Sequence, residues 1–184
     1  MNILDIKGYD VVNGTGIRMS IWTAGCNNHC KGCWAQHTWN PLQGRPTSEC
    51  MQEIEEILKT NDIDGVSILG GDPLFSTFNE GSSDDLIAII DLCKSYGKSV
   101  WVWSGYSLDD IYHTDKRVLE KIDVLVEGKY DESKRDLNLF YRGSSNQRVI
   151  FMEAPSDGAE YKHYVLSLLD DGYSLEECNG ESDK

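Results

Sequence analysis

No apolar run in this chain approaches the ~20 residues that a membrane-spanning helix needs, which excludes a spanning segment. Residues 1–7 lack the basic start and apolar stretch of a secretory leader. Positive charge is scarce too: 17 Lys and Arg stand against 31 Asp and Glu, a formal net charge of −14. A nucleic-acid footprint needs a basic face, and so does docking on anionic lipid, so both are excluded as partners. There is no internal repeat, no low-complexity segment and little proline, only four residues. The expected location is the cytoplasm, where six cysteines stay reduced or bind metal rather than pair. What is present is ordinary globular material. The 184 residues are 40% hydrophobic and 26% charged, enough for one domain with a real core.

Read in order, residues 1–17 are polar, with a short edge strand expected at Val11 and Val12. Residues 18–25 alternate as a strand. Residues 34–46 are irregular, broken by Pro41, Gly44 and Pro46. A helix is predicted from an N-cap at Thr47, with Met51, Ile54, Ile57 and Leu58 on one face. Residues 66–69 form a buried strand. Ser83 caps the clearest helix, whose apolar face is Leu86, Ile89, Ile90 and Cys93 and which Gly97 stops. Strands follow at 100–103, 122–126 and 147–152, with a weaker helix over about 107–121. Residues 131–146 read as a loop with an extended piece at 139–141. A last helix is expected from Asp157, presenting Tyr161, Tyr164, Val165, Leu168 and Leu169, and a frayed polar tail at 176–184. The domain is thus expected to span 1–175. Strands alternating with helices imply an α/β fold with a mostly parallel sheet, five or six strands long, curved and left open rather than closed as a barrel.

The punctuation falls at strand ends. Cys26-Asn27-Asn28-His29-Cys30-Lys31-Gly32-Cys33 follows the first strand, and Gly70-Gly71-Asp72-Pro73 follows the second. Ser104-Gly105 and Glu127-Gly128-Lys129 follow the next two. In a parallel sheet those ends share one rim, where ligands bind. Cys26, Cys30 and Cys33 supply three thiolates within eight residues. A closed zinc site wants four ligands, and so does a fully held cubane. Three readings stay open: zinc with His29 or His37 as fourth ligand, a dithiol at Cys30 and Cys33, or an iron–sulfur cluster with one open iron, which the spacing and the preceding strand favour. The 70–73 stretch is either a plain turn or one whose glycines let backbone carbonyls approach an ammonium group. Trp34 is either core or a ring beside the metal site. Trp101 and Trp103 read as sheet-packing residues and Cys93 as core, while Cys50 and Cys178 receive no role. Residues 142–147 are either a solvated loop or one that contacts a partner or ligand.

Together these residues resemble the radical S-adenosylmethionine (SAM) enzymes, and most closely the anaerobic ribonucleoside-triphosphate reductase-activating proteins. Five stretches carry the resemblance: residues 12–16, 22–39, 69–74, 101–106, and 123–129 with 142–147. It runs from about residue 8 to 150 and leaves the last 30 or so uncovered. It implies an incomplete, open radical SAM-type β/α barrel. It implies a [4Fe–4S] cluster on Cys26, Cys30 and Cys33, with the fourth iron holding the amino and carboxylate groups of SAM. One electron, from a donor such as flavodoxin or ferredoxin, would cleave SAM to methionine and a 5′-deoxyadenosyl radical. That radical would take a hydrogen atom from a glycine of the reductase. The cofactor carries this chemistry, and no side chain is needed as acid or base. Gly70, Gly71, Asp72 and Pro73 would hold the methionine ammonium, Lys129 the carboxylate, and Glu127 or Ser104 the ribose. Two departures stand out: Gly32 replaces the aromatic residue usual before the third cysteine, with Trp34 as its substitute, and Asp72 replaces the glutamate of the turn. The alternatives are an activator of another glycyl radical enzyme, against which the absence of extra cysteine-rich insertions speaks, and a non-catalytic zinc module.

Overall fold

The computed structural model describes residues 1–60, 62–155, 159, 162–170 and 172–178. Nine strands form one open sheet in the order β3-β1-β2-β4-β5-β6-β7-β8-β9. The centre is the parallel block expected from sequence: β2 (Arg18–Ala24), β4 (Gly65–Gly70), β5 (Ser99–Ser104) and β6 (Val124–Glu127). Burial on both faces explains their near-continuous apolar character. α1 (Thr47–Thr60), α2 (Phe75–Glu80), α3 (Asp84–Ser95) and α4 (Leu108–Asp115) pack on one face. There Ile54, Leu58, Leu86, Ile89, Ile90, Cys93, Leu108 and Ile111 meet Met19, Ile21, Val66, Ile68, Val100, Val102 and Leu125. On the other face Trp101 packs with Val124, Val126, Val149 and Phe151, and Tyr141 closes over it edge-on.

Several expectations are corrected. The first strand is β1 (Asn2–Asp10), antiparallel to β2, whereas Val11 and Val12 lie beyond it, exposed. A register shift between Ile3 and Asp5 breaks the alternation that would have marked this strand. Thr47 starts α1 but does not cap it; its hydroxyl donates to the Met1 carbonyl at 3.0 Å. Ser83 precedes α3, yet its hydroxyl pairs with Thr77 instead of the helix N–H groups. α2 was not foreseen, and no strand forms at 139–141. β7 (Arg148–Phe151) runs antiparallel to β6. The expected last helix is instead a hairpin, β8 (His163–Leu169) with β9 (Gly172–Cys178), added beside β7. Asp157 and Tyr161 lie outside the described residues. The expected boundary at 175/176 falls inside β9, where Glu176, Glu177 and Cys178 pair with Val165, Tyr164 and His163; residues 179–184 lie outside the described residues.

Leu166 is buried and Leu175 and Tyr173 pack on the helical core, which holds the hairpin in place. Leu175→Ala should cost about 1–2 kcal/mol of folding stability. Urea denaturation with hydrogen exchange across β8 and β9 reads this; unchanged protection there would show that the hairpin is not docked.

At the start of β2, Arg18 is 1% exposed, with the charges of Asp123 and Asp64 favouring its cation. It donates to Ser67 Oγ, Ser99 Oγ and the Val66, Thr15 and Ser99 carbonyls, and lies over the Trp101 ring. Burial lowers its pKa to about 10. The 10–17 loop packs here: Asn13 O accepts from Ser67 Oγ, and Asp64 accepts from Ile17 N. The 12–16 motif therefore seals the end of the sheet opposite the cysteines.

Candidate metal centre

β2, β4, β5 and β6 end at Ala24, Gly70, Ser104 and Glu127, so the four glycine- or cysteine-rich stretches share one rim, as expected. The 70–73 turn lies directly against the end of β2. Gly71 N donates to Thr23 O at 2.9 Å and Asp72 N to Gly25 O at 2.8 Å. A Cβ on Gly70, whose φ is +113°, would sit 2.7 Å from Thr23 N, and one on Gly71 would strike Gly25 O. The two glycines are thus required by the protein's own backbone packing, independently of any ligand.

Asp72 is 1% exposed and joins three segments. Its Oδ1 accepts from Ser104 Oγ at 2.9 Å and Leu74 N at 3.0 Å. Its Oδ2 accepts from Gly105 N at 2.9 Å and from Asn28 Nδ2, inside the cysteine loop, at 2.8 Å. Burial raises its carboxyl and these four donors oppose the rise, leaving it at about 6. Four donors occupy the lone-pair directions of both oxygens.

The cysteine loop begins buried and ends at the surface. Cys26 is 7% exposed, while Cys30 and Cys33 are half-buried. Cys33 N bonds to Cys30 O at 3.1 Å, and His29 takes a φ of +44°. Burial raises the Cys26 thiol above its ordinary range; the N–H groups of Asn28 and His29 pull it down and the Asp72 charge adds to the rise. Burial also raises Cys30, opposed by the Tyr130 N–H and by the charge of Lys129. Metal coordination deprotonates such thiols outright. Backbone N–H groups aimed at the sulfurs are the outer partners that stabilise and tune an iron–sulfur cluster. The donor set therefore fits one. Among the described residues no three His, Cys, Asp or Glu side chains are gathered on a single ion. A cubane does not require that, since each thiolate meets its own iron. The His29 ring lies 4.6 Å from that of Trp39, tilted by 39°, and His37 is exposed.

The other expected site residues lie on the same rim with varied surroundings. Gly32 faces Glu132, which pairs with Lys31 at 3.1 Å. Trp34 is 75% exposed, so it is not core, and its ring meets Trp22 edge-on at 5.4 Å. Pro73 is buried. Ser104 Oγ also accepts from Tyr106 N. Glu127 is buried, accepting from Leu108 N at 3.2 Å and from Arg148 Nε. Lys129 is exposed beside Cys30.

The 142–147 loop is part of this construction. Gln147 Nε2 donates to Gly128 O and Asn146 Nδ2 to Lys129 O, at 2.9 and 2.8 Å. Gln147 Oε1 accepts from Gly143 N and Ser144 N. The clamp fixes the 128–130 backbone, and with it the Tyr130 N–H beside Cys30. Gln147→Ala should cost about 1–3 kcal/mol by orphaning these groups, with faster hydrogen exchange at Gly143 and Ser144. Unaltered exchange would show the clamp idle. Sequence reading missed Asn28, Tyr130 and the role of Gln147; their partners lie far off in the chain, and no spacing rule marks them.

An open sheet with a three-cysteine loop at the C-terminal rim defines a single-cluster iron–sulfur protein, and a family model described as "4Fe-4S single cluster domain" matches residues 12–150. Among similar proteins, the anaerobic ribonucleoside-triphosphate reductase-activating protein of Escherichia coli K12 is 35% identical over 155 residues, covering 81% of this chain and 97% of its own. Those of Vibrio cholerae and Enterobacteria phage T4 are 36% and 34% identical, each across 81% of this chain and 97% and 93% of their own. The chain belongs to the family of anaerobic ribonucleoside-triphosphate reductase-activating proteins. No helix among the described residues is long and apolar enough to cross a membrane.

Proposed function

We infer that this chain is a radical SAM activating enzyme that installs the glycyl radical on anaerobic ribonucleoside-triphosphate reductase. The observation that carries this is the loop of Cys26, Cys30 and Cys33, held at the sheet rim between Asp72 and the 128–130 backbone. A cluster held by Cys26, Cys30 and Cys33 would, once reduced by an external donor, supply the single electron that splits the SAM sulfonium into methionine and the radical that takes a hydrogen atom from the partner's glycine. The chain's residues bind, orient and exclude water. Cys26, Cys30 and Cys33 would hold three irons and leave one for SAM. Backbone carbonyls of the 70–73 turn would receive the ammonium, since the Asp72 carboxylate already has four donors. Lys129 would pair with the SAM carboxylate. Ser104 and Glu127 would reach the ribose only through lone pairs their present bonds leave over. Trp34 offers an exposed ring face for adenine.

In this reading the chain through the end of β9 is one radical SAM domain in a cytoplasmic protein, its sheet an incomplete β/α barrel and its electron donor a flavodoxin or ferredoxin. An unclosed sheet suits a protein substrate, whose glycine must reach the radical. Anaerobic reconstitution followed by reduction should cleave SAM to methionine and 5′-deoxyadenosine, and adding the reductase should give a glycyl radical resonance. Cleavage with no signal on the reductase, but with one on another glycyl radical enzyme, would reassign the partner.

A further inference from the structure

Asn28 is the one side chain of the cysteine loop that bonds to the Asp72 carboxylate, at 2.8 Å. It stands two residues after Cys26, the most deeply buried of the three cysteines. Across the rim, Gly105 leaves room for this amide. A Cβ there would strike Asn28 Nδ2 and lie 2.8 Å from its Cγ. Gly105 also donates its own N–H to the same Asp72 oxygen at 2.9 Å. Asp72 in turn begins the hydrogen-bonded step into α2, through Phe75 N to Asp72 O at 2.8 Å. One carboxamide in the cysteine loop therefore meets the turn after β4 and the end of β5.

We propose that Asn28 is a positioning residue that couples the cysteine loop to the SAM-binding turn, by donating to the Asp72 carboxylate. The proposal rests on the cluster and SAM assignment made above. That bond holds the 70–73 turn at a fixed distance from the iron that SAM would reach. Losing an outer partner of this kind lowers affinity or activity by roughly 10–100-fold.

Asn28→Ala and Gly105→Ala test this from opposite sides. The first removes the amide; the second displaces it from outside the cysteine loop. In reconstituted protein both variants should keep the wild-type iron content. Neither should shift the cluster midpoint potential measured without SAM, because the amide acts on the turn and not on a ligand sulfur. Both should weaken SAM binding about tenfold. The double variant should be no worse than either alone, because both act through one contact. If Asn28→Ala fails to load, Gly105→Ala alone decides. SAM affinities within twofold of wild type, or a loss of affinity accompanied by a shifted potential, would overturn the inference. Wild-type protein that loads no cluster or binds no SAM would instead overturn the site assignment on which it rests.

Discussion

Cys30→Ala is expected to abolish activity outright while leaving the fold intact. Wild-type protein prepared without oxygen should carry about four irons and four sulfides per chain, and the variant only a small residue of them. SAM cleavage and the glycyl radical resonance should both fall below detection. No other thiol can take its place. Cys50 and Cys93 are fully buried among the apolar side chains of α1 and α3. Burial drives the Cys93 thiol up to about 12, so it offers no thiolate near neutral pH. Cys178 ends β9, at the far edge of the sheet. Cys30 itself is half-buried on a loop, so its loss removes little packing and the metal-free protein should unfold at nearly the wild-type urea concentration. A variant that keeps its iron and its activity would remove Cys30 from the ligand set. About one zinc per wild-type chain, with no sulfide, would replace the activase reading by a zinc module.

The parallel block could be read from the sequence because its signals are local. Buried runs such as residues 66–69 and 100–103 are short, apolar and closed by glycine or serine. The α3 face of Leu86, Ile89, Ile90 and Cys93 follows helical spacing and is buried as read. The C-terminal hairpin misled for the same reason. Tyr164, Val165, Leu168 and Leu169 recur at helical intervals, yet β8 is half-exposed and is stabilised by pairing with β9, which local periodicity cannot register. The Asp171-Gly172 pair was the available hairpin signal. Convergence of the cysteine loop, the 70–73 turn and the 104–105 and 127–129 stretches followed from strand polarity alone. The bonds that join them did not. Asn28 and Asp72 are 44 residues apart, and Gln147 and Gly128 are 19 apart. Nothing in either neighbourhood says which donor finds which acceptor until the sheet has brought them together.

Asp72→Ala should show the largest loss of stability at the rim, about 3–5 kcal/mol, because it orphans several buried donors at once. The Ser104 hydroxyl, the Leu74 and Gly105 N–H groups and the Asn28 amide would all lose their acceptor in a site that water barely reaches. The losses are not additive, since all four donors serve one carboxylate. Asp72→Asn separates charge from shape. Its remaining oxygen can still serve Ser104 and Leu74, but its new NH2 would face the Gly105 N–H and the Asn28 amide, donor against donor. About half the alanine loss is expected, with protection from hydrogen exchange falling at Gly105 rather than at Leu74. Urea denaturation of metal-free protein is the measurement, because the network is made wholly of protein atoms and should not depend on a cluster. Metal-free Asp72→Ala with wild-type stability would mean that the carboxylate does not join these segments. The link between the cysteine loop and the ends of β4 and β5 would then have to come from bound cofactor instead.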